Sequence, residues 1–157
     1  MKFPFIHQQQ NNDCGPTCLQ MIARFYGKDY ELDFLKKKCR IKKNGVSMLN
    51  IFKTSKEIGF HCRGVKMKIE KLKQIVQDGP VIIHNNKDHF AIVYRTPKPG
   101  KTGGFYLADP ACGLVTMSEV KFSAYWNSKK NKSVGNRLSS KKISASTLGY
   151  ALLFEPG

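Results

Sequence analysis

One cysteine in this chain stands where a nucleophile could be made. Cys14 lies within QQQNNDCGPTCLQMIARFYG, residues 8–27, at the point where a polar loop gives way to an amphipathic pattern. Asp13 is expected to cap the helix that follows, Gly15 to keep its first turn narrow, and Pro16 to fill a first-turn position that needs no amide hydrogen. Leu19, Ile22, Ala23 and Tyr26 recur at i, i+3, i+4 and i+7, an apolar stripe that pins the helix to a core. A thiol at the head of such a helix meets unpaired amide donors and the positive end of the macrodipole, which favour the thiolate. The competing reading is a small buried cysteine that merely opens a core helix.

A thiol nucleophile needs a base, and the base needs a group to orient it. Of the four histidines, His7 is too near Cys14 in sequence to approach it naturally, and His61 and His84 sit in or at the end of predicted strands without an evident partner. His89 opens the strand-like run HFAIVY just after the polar turn Asn85-Asn86-Lys87-Asp88, so its side chain can reach from the rim of a sheet toward the helix end. Asp109 occupies the matching place after Phe105-Tyr106-Leu107-Ala108, where an adjacent antiparallel strand sets a carboxylate beside the imidazole. The oxyanion of an acyl-transfer intermediate calls for two donors. The Cys14 amide can supply one, and Gln8, Gln9 and Gln10 compete for the other.

The elements that position these groups can be read from periodicity and punctuation. After the first helix, stopped by Gly27, a second is predicted over about 31–39 and a third from the Ser47 cap to about Ile58, with Met48, Ile51, Phe52 and Ile58 inward. Phe60–Val65 reads as a strand and Ile69–Gln77 as a short helix closed by Asp78-Gly79-Pro80. Val81–His84, His89–Tyr94, Gly104–Ala108 and Leu114–Met117 read as antiparallel strands, Val120–Trp126 as a short helix, and Gly149–Phe154 as a final strand. Helices first and strands afterwards indicate an α+β domain. A single domain over 1–157 is expected, with a helical subdomain at about 1–66 and a sheet subdomain at about 67–157. Lys-, Ser- and Asn-rich residues 127–147 read as a long exposed basic loop.

Composition narrows the class. Twenty-seven Lys and Arg against eleven Asp and Glu give +16, yet the lysines are scattered and no RNA- or DNA-reading motif accompanies them, so a basic solvated surface is the expectation. Five irregularly spaced cysteines do not make a disulfide framework and fit a reducing compartment. No apolar run is long enough to span a bilayer, and the N-terminus lacks the apolar core of a signal peptide. Cys14-x-x-x-Cys18 lacks suitably spaced further ligands for a zinc site, because His61 and Cys62 point to opposite faces of their strand. Cys39 and Cys62 read as small buried hydrophobes, and Cys112 as a cysteine at the rim of the site.

Gln8 six residues before Cys14, then DCGPTCLQMIARFYG, GVSMLNIFKTSKEIGFHCRGVK, GPVIIHNNKDHFAIVY, YLADPACG and the closing ALLFEP together resemble the C39 peptidases. These are papain-like cysteine protease domains at the N-terminus of bacterial peptidase-containing ABC transporters. The resemblance runs from about Phe5 to Trp126 and resumes at Leu148. It implies a papain-like fold, with Cys14 as nucleophile, His89 as general base and acid, Asp109 as its orienter and Gln8 as oxyanion donor. It further implies an endopeptidase that removes leader peptides from bacteriocin-like or other small secreted peptides, cutting after Gly-Gly or Gly-Ala.

The expected partners are the leader peptide of a precursor and the transmembrane and nucleotide-binding domains of an ABC transporter, with no nucleic acid. The peptidase domain is expected to need no cofactor or metal, ATP being used only by a downstream domain. The resemblance places it at the cytoplasmic side of the bacterial membrane, as a part that is itself soluble. A shallow apolar groove for the leader helix is expected near Met48–Phe52 and the following strand. Two features depart from the family: the 127–147 segment is longer than usual, and the sequence stops at Glu155-Pro156-Gly157, about where a transmembrane region would begin. An excised domain and a stand-alone member both fit. The rival readings are a non-catalytic cargo-docking domain and a basic nucleic-acid-binding module.

Overall fold

In the computed structural model, residues 2–85, 87–126 and 147–157 are described. The helix α1 spans Cys14–Phe25, α2 Leu32–Lys38 and α3 Met48–Glu57; then come β1 Phe60–Lys68, α4 Ile69–Val76, β2 Val81–His84, β3 Phe90–Arg95, β4 Phe105–Asp109, β5 Gly113–Met117, α5 Glu119–Trp126 and β6 Leu148–Pro156. These follow the sequence reading closely: β2 coincides with its prediction, β3 and β4 are each displaced by one residue, and β1, β5 and β6 run one to three residues beyond theirs. The basic loop expected over 127–147 falls, but for Thr147, outside the described residues.

The six strands form one antiparallel sheet in the order β1-β6-β2-β3-β4-β5. Successive side chains of a strand point to opposite faces, and here both faces are covered. Ile82, Phe90, Ile92, Ala108, Leu152 and Phe154 pack under α1–α3 with Cys18, Leu19, Ile22 and Ile51. Their alternates, Val81, Ile83, Ala91, Val93, Leu107 and Ala151, pack under α4 and α5 with Leu72, Phe122 and Trp126. The near-continuous apolar runs VII (81–83) and FAIV (90–93) follow from this two-sided burial. The result is the expected α+β, papain-like fold, with the Cys14 helix lying across the middle of the sheet.

Two expectations need correction. The boundary placed near residue 66 falls inside β1, which pairs with β6 along its whole length from Phe60↔Pro156 to Lys68↔Leu148, so the helical and sheet halves share one sheet. Asp13 holds the N-cap position, and its carbonyl accepts the Thr17 amide at 2.9 Å, but its carboxylate caps nothing. Its backbone is helical (φ −90°, ψ −2°) rather than extended, and the side chain turns back to accept the Gln10 amide at 3.0 Å. Ser47, by contrast, caps α3 through the Asn50 amide at 3.1 Å, as its position predicts.

Close approach explains Gly149. A Cβ there would collide with the indole of Trp126, which is fully buried and donates its Nε1–H to the Tyr150 carbonyl at 3.1 Å. This clamps the end of α5 onto β6. At its other end α5 is tied down by Glu119, whose carboxylate meets the buried Lys73 ammonium of α4 at 2.6 Å.

Candidate active site

The first turn of α1 carries Cys14, buried to 8% exposure, its helix held down by Leu19, Ile22 and Ala23, each fully buried. The amides of that first turn have no carbonyl a turn earlier to serve as intrahelical acceptors, so the Cys14 N–H can face a ligand. His89 stands immediately before β3 rather than in it, and Asp109 is the last residue of β4, the strand that pairs with β3. Antiparallel pairing of these strands puts the two side chains at one rim of the sheet. His89 Nε2 lies 2.8 Å from Asp109 Oδ1, and the other face of the imidazole hydrogen-bonds with Cys14. With Nε2 committed to the carboxylate, Nδ1 is the ring nitrogen left for the sulfur.

The electrostatics follow from these contacts. Burial by itself disfavours the imidazolium, but hydrogen bonds and charge from Asp109 and Cys14 outweigh it and raise His89 to about 9. Burial would likewise lift Asp109, yet the donors around it, His89 first and then the Ala111 amide at 2.9 Å, hold it below the ordinary carboxylate range. His89 is therefore biased toward its protonated form.

The glutamine loop is threaded between the Cys14 helix and the Asp109 turn. The Gln8 backbone N–H donates to the Pro110 carbonyl at 2.8 Å. Its side-chain Nε2 donates to the Gln10 carbonyl at 2.9 Å, which uses one of two N–H groups and leaves the second for another acceptor. Gln10 in turn is fixed by Asp13. Gln8 Oε1 is buried and has no partner among the described residues.

None of the other histidines hydrogen-bonds with Cys14, His89 or Asp109 among the described residues. His7 is exposed and bonds through Nδ1 with the carbonyl of Gln8 at 2.9 Å; His61 is exposed on β1; His84, held below its ordinary pKa chiefly by burial, lies 3.4 Å from Asp88. Cys18 is fully buried one turn behind Cys14, and burial together with the negative charges of Cys14 and Asp109 pushes its thiol well up. Burial also raises Cys39, and raises Cys62 to about 11. Cys112 is exposed, its amide bonded to the Asp109 carbonyl at 3.1 Å. Among the described residues no group of three His, Cys, Asp or Glu side chains is placed to hold a metal ion.

Spacing in the sequence did not mark three residues that touch this site. Lys36 of α2 meets the buried Asp13 carboxylate at 3.1 Å. Tyr125 of α5 donates to Asp109 Oδ2 at 3.1 Å, and Asn85 accepts the His89 amide at 3.0 Å. Lys36 and Tyr125 lie on helices whose placement depends on long-range packing, whereas Asn85 sits in the turn four residues before His89.

Two cavities flank the sheet. The larger, about 860 Å³, lies between the Asp78-Gly79-Pro80 turn and the paired ends of β1 and β6, and none of Gln8, Cys14, His89 or Asp109 lines it. A shallower groove of about 370 Å³ is lined by Met48, Leu49, Phe52, Gly64, Tyr150 and Leu152. Lys56 and Lys66 stand over the rings of Phe52 and Tyr150 at its edge, at 5.4 and 5.3 Å.

Comparison with known proteins adds a family and a set of relatives. The model of the family described as the Peptidase C39 family matches residues 2–130. The colicin V secretion/processing ATP-binding protein CvaB of Escherichia coli is 28% identical over 125 residues, 80% of this chain and 17% of that protein. The lactococcin-G-processing and transport ATP-binding protein LagD of Lactococcus lactis subsp. lactis is 29% identical over 125 residues, 77% of this chain and 17% of that protein. The chain thus spans about a sixth of the length of these relatives. Among solved structures, a double glycine motif protease from an AMS/PCAT transporter in complex with its leader peptide superposes with a TM-score of 0.71 at 27% identity, covering 99% of this chain and 93% of that one. The peptidase domain of Streptococcus ComA shares the fold, with a TM-score of 0.70 at 22% identity over 99% of this chain and all of that one.

Proposed function

Since this chain belongs to the peptidase C39 family, we propose that it is a cysteine endopeptidase that cuts leader peptides from small secreted peptides after a Gly-Gly or Gly-Ala pair, as the peptidase part of an ABC exporter. The observation that carries this reading is the hydrogen-bonded series Cys14–His89–Asp109, built from three elements that meet at one rim of the sheet. The double-glycine protease that this chain resembles, solved with its leader peptide, supports the substrate class.

Cys14 attacks the carbonyl carbon of the scissile peptide as a thiolate, and the carbonyl electrons move onto oxygen. The Cys14 amide and the free Nε2–H of Gln8 receive that oxyanion. His89 delivers its proton to the leaving amine as the C–N bond breaks, which leaves a thioester on Cys14 and a neutral imidazole. The imidazole then takes a proton from water, whose oxygen attacks the thioester; collapse releases the leader acid and restores the thiolate–imidazolium pair. Asp109 keeps Nε2 occupied throughout, so that Nδ1 is the nitrogen that exchanges protons.

The groove of Met48, Leu49, Phe52, Tyr150 and Leu152 is apolar, shallow and edged by lysines, and suits the apolar face of an amphipathic leader helix that carries acidic residues. The remainder of the transporter, on this reading, supplies the membrane-spanning and ATP-using parts, and the domain works at the cytoplasmic face. No helix among the described residues is long and apolar enough to cross a membrane.

A precursor peptide with a double-glycine leader, incubated with the protein and read by mass spectrometry, tests the proposal. Cleavage after the second glycine is expected, abolished by Cys14→Ala and largely retained by Cys18→Ala. Leader binding without turnover would instead make this a cargo-docking domain, and equal loss from both substitutions would reduce Cys14 to a structural residue.

A further inference from the structure

Asp109 has two carboxylate oxygens, and only one faces the histidine. Oδ1 is shared by His89 Nε2 at 2.8 Å and the Ala111 amide at 2.9 Å. Oδ2 is left to Tyr125, whose hydroxyl donates to it at 3.1 Å. Without that donor the carboxylate could swing about its terminal torsion and present either oxygen to the imidazole.

Tyr125 is itself held. The side-chain amide of Asn85 donates to the phenol oxygen, while Asn85 Oδ1 accepts the Lys87 amide at 2.8 Å and the His89 amide at 3.0 Å. The Asn85 backbone N–H adds a bond to the His89 carbonyl at 2.9 Å, and the residue is 6% exposed. One buried carboxamide therefore grips the histidine's backbone on one side and the orienter's second donor on the other. α5, which carries Tyr125, is fixed at both ends by the Glu119–Lys73 and Trp126–Tyr150 contacts.

We propose that Asn85 and Tyr125 are positioning residues that lock the His89–Asp109 pair into the geometry that presents Nδ1 to the Cys14 sulfur. A buried tyrosine hydroxyl needs some partner, and a backbone carbonyl would have served, as it does for Trp126; here the partner is the orienting carboxylate. The ionisable groups gathered around Asp109 are His89 at the head of β3, Tyr125 on α5, and Cys14 and Cys18 on α1. Burial and the Asp109 charge push the Tyr125 phenol far above its ordinary value, so it stays a donor at every working pH.

The inference rests on the reading of Cys14 as nucleophile, and its test has a readout that needs no cleavage. In the full chain, the rate of Cys14 alkylation by iodoacetamide is followed from about pH 4 to pH 9 on the Cys14 peptide by mass spectrometry, beside kcat and KM for a double-glycine precursor. Tyr125→Phe removes one donor from the carboxylate, so the low-pH limb of alkylation is expected to move by about half a unit or more. Its kcat is expected to fall about tenfold with KM within about twofold, the scale at which loss of an outer-sphere partner commonly acts. Asn85→Asp keeps the acceptor for the turn but turns the amide donor into a competitor for the tyrosine proton, so a like fall in kcat is expected. The double variant should add nothing further, because both act through one contact. An unmoved limb with kcat within about twofold, in variants that melt like the parent, overturns the proposal. A parent that alkylates normally yet cleaves no precursor would sink the peptidase reading alone.

Discussion

The Asp13 carboxylate, fully buried beside Cys14, meets the Lys36 ammonium of α2 at 3.1 Å. Through Gln10 it also holds the loop that carries Gln8. Breaking a buried pair from one side strands the remaining charge, which typically costs about 3–5 kcal/mol. Lys36→Met is therefore expected to lower unfolding free energy by about 3 kcal/mol, and Asp13→Asn in the same chain to restore at least half of it. Denaturant unfolding of both singles and the double gives the cycle; strict additivity would show the two side chains to be independent.

The His89 contacts have a pH signature. A folded-state value of about 9 stands above the ordinary histidine value of 6.5, so the contribution to stability is fully present below about pH 6.5 and is lost as pH rises through 9. Unfolding free energy should drop by on the order of 2–3 kcal/mol between those limits. Asp109→Asn removes the principal charge partner and should flatten the slope. A parent curve level across that interval would contradict the assigned contacts.

Thiol reactivity should divide the five cysteines. Cys14 and the exposed Cys112 are expected to take iodoacetamide at neutral pH in the native state, whereas Cys18, Cys39 and Cys62, all buried and raised, should label only on unfolding. Peptide mapping after a short exposure reads this directly. Native labelling of Cys18 would mean that α1 opens far more readily than its burial suggests.

The groove can be tested apart from the chemistry. Leu49 is 56% exposed, so Leu49→Glu costs little fold stability, yet it puts a charge where an apolar helix face and acidic residues would lie. KM for a precursor with its full leader should rise about tenfold with kcat unchanged, the pattern of lost uniform binding. A short peptide truncated to the glycine pair should not sense the substitution.

Gly149→Ala would drive a methyl group into the Trp126 ring, and the surroundings are fully buried. Overpacking of this kind costs about 1–3 kcal/mol. Trp126 is the single tryptophan of the chain, so its emission reports any shift of α5 together with the melting temperature.

Local patterns carried most of the architecture. The Leu19-Ile22-Ala23 stripe, the Ser47 cap and the short β-branched runs each encode their element within a few residues, and all are found where their periodicity puts them. His89 and Asp109 were legible because each flanks a strand, and successive strands joined by a turn pair antiparallel. What stayed hidden depends on contacts distant in sequence. Nothing near residue 150 says that β6 lies between β1 and β2, and nothing near Tyr125 says that its hydroxyl meets Asp109. Asp13 misled for the same reason: its spacing fits a cap, but Lys36 and the Gln10 amide make a better offer to a buried carboxylate than the helix does. The helical and sheet halves were misdivided at β1 because its pairing partner β6 begins eighty residues after β1 ends.

The position of β6 has a consequence for how the molecule comes into being. Of the described strands it is the latest in the chain, yet it fills an interior slot, bonding β1 on one edge and β2 on the other. During synthesis, the earlier strands must wait with open flanks until Leu148–Pro156 emerges. Closure of the sheet thus waits on the last of the described strands to be made.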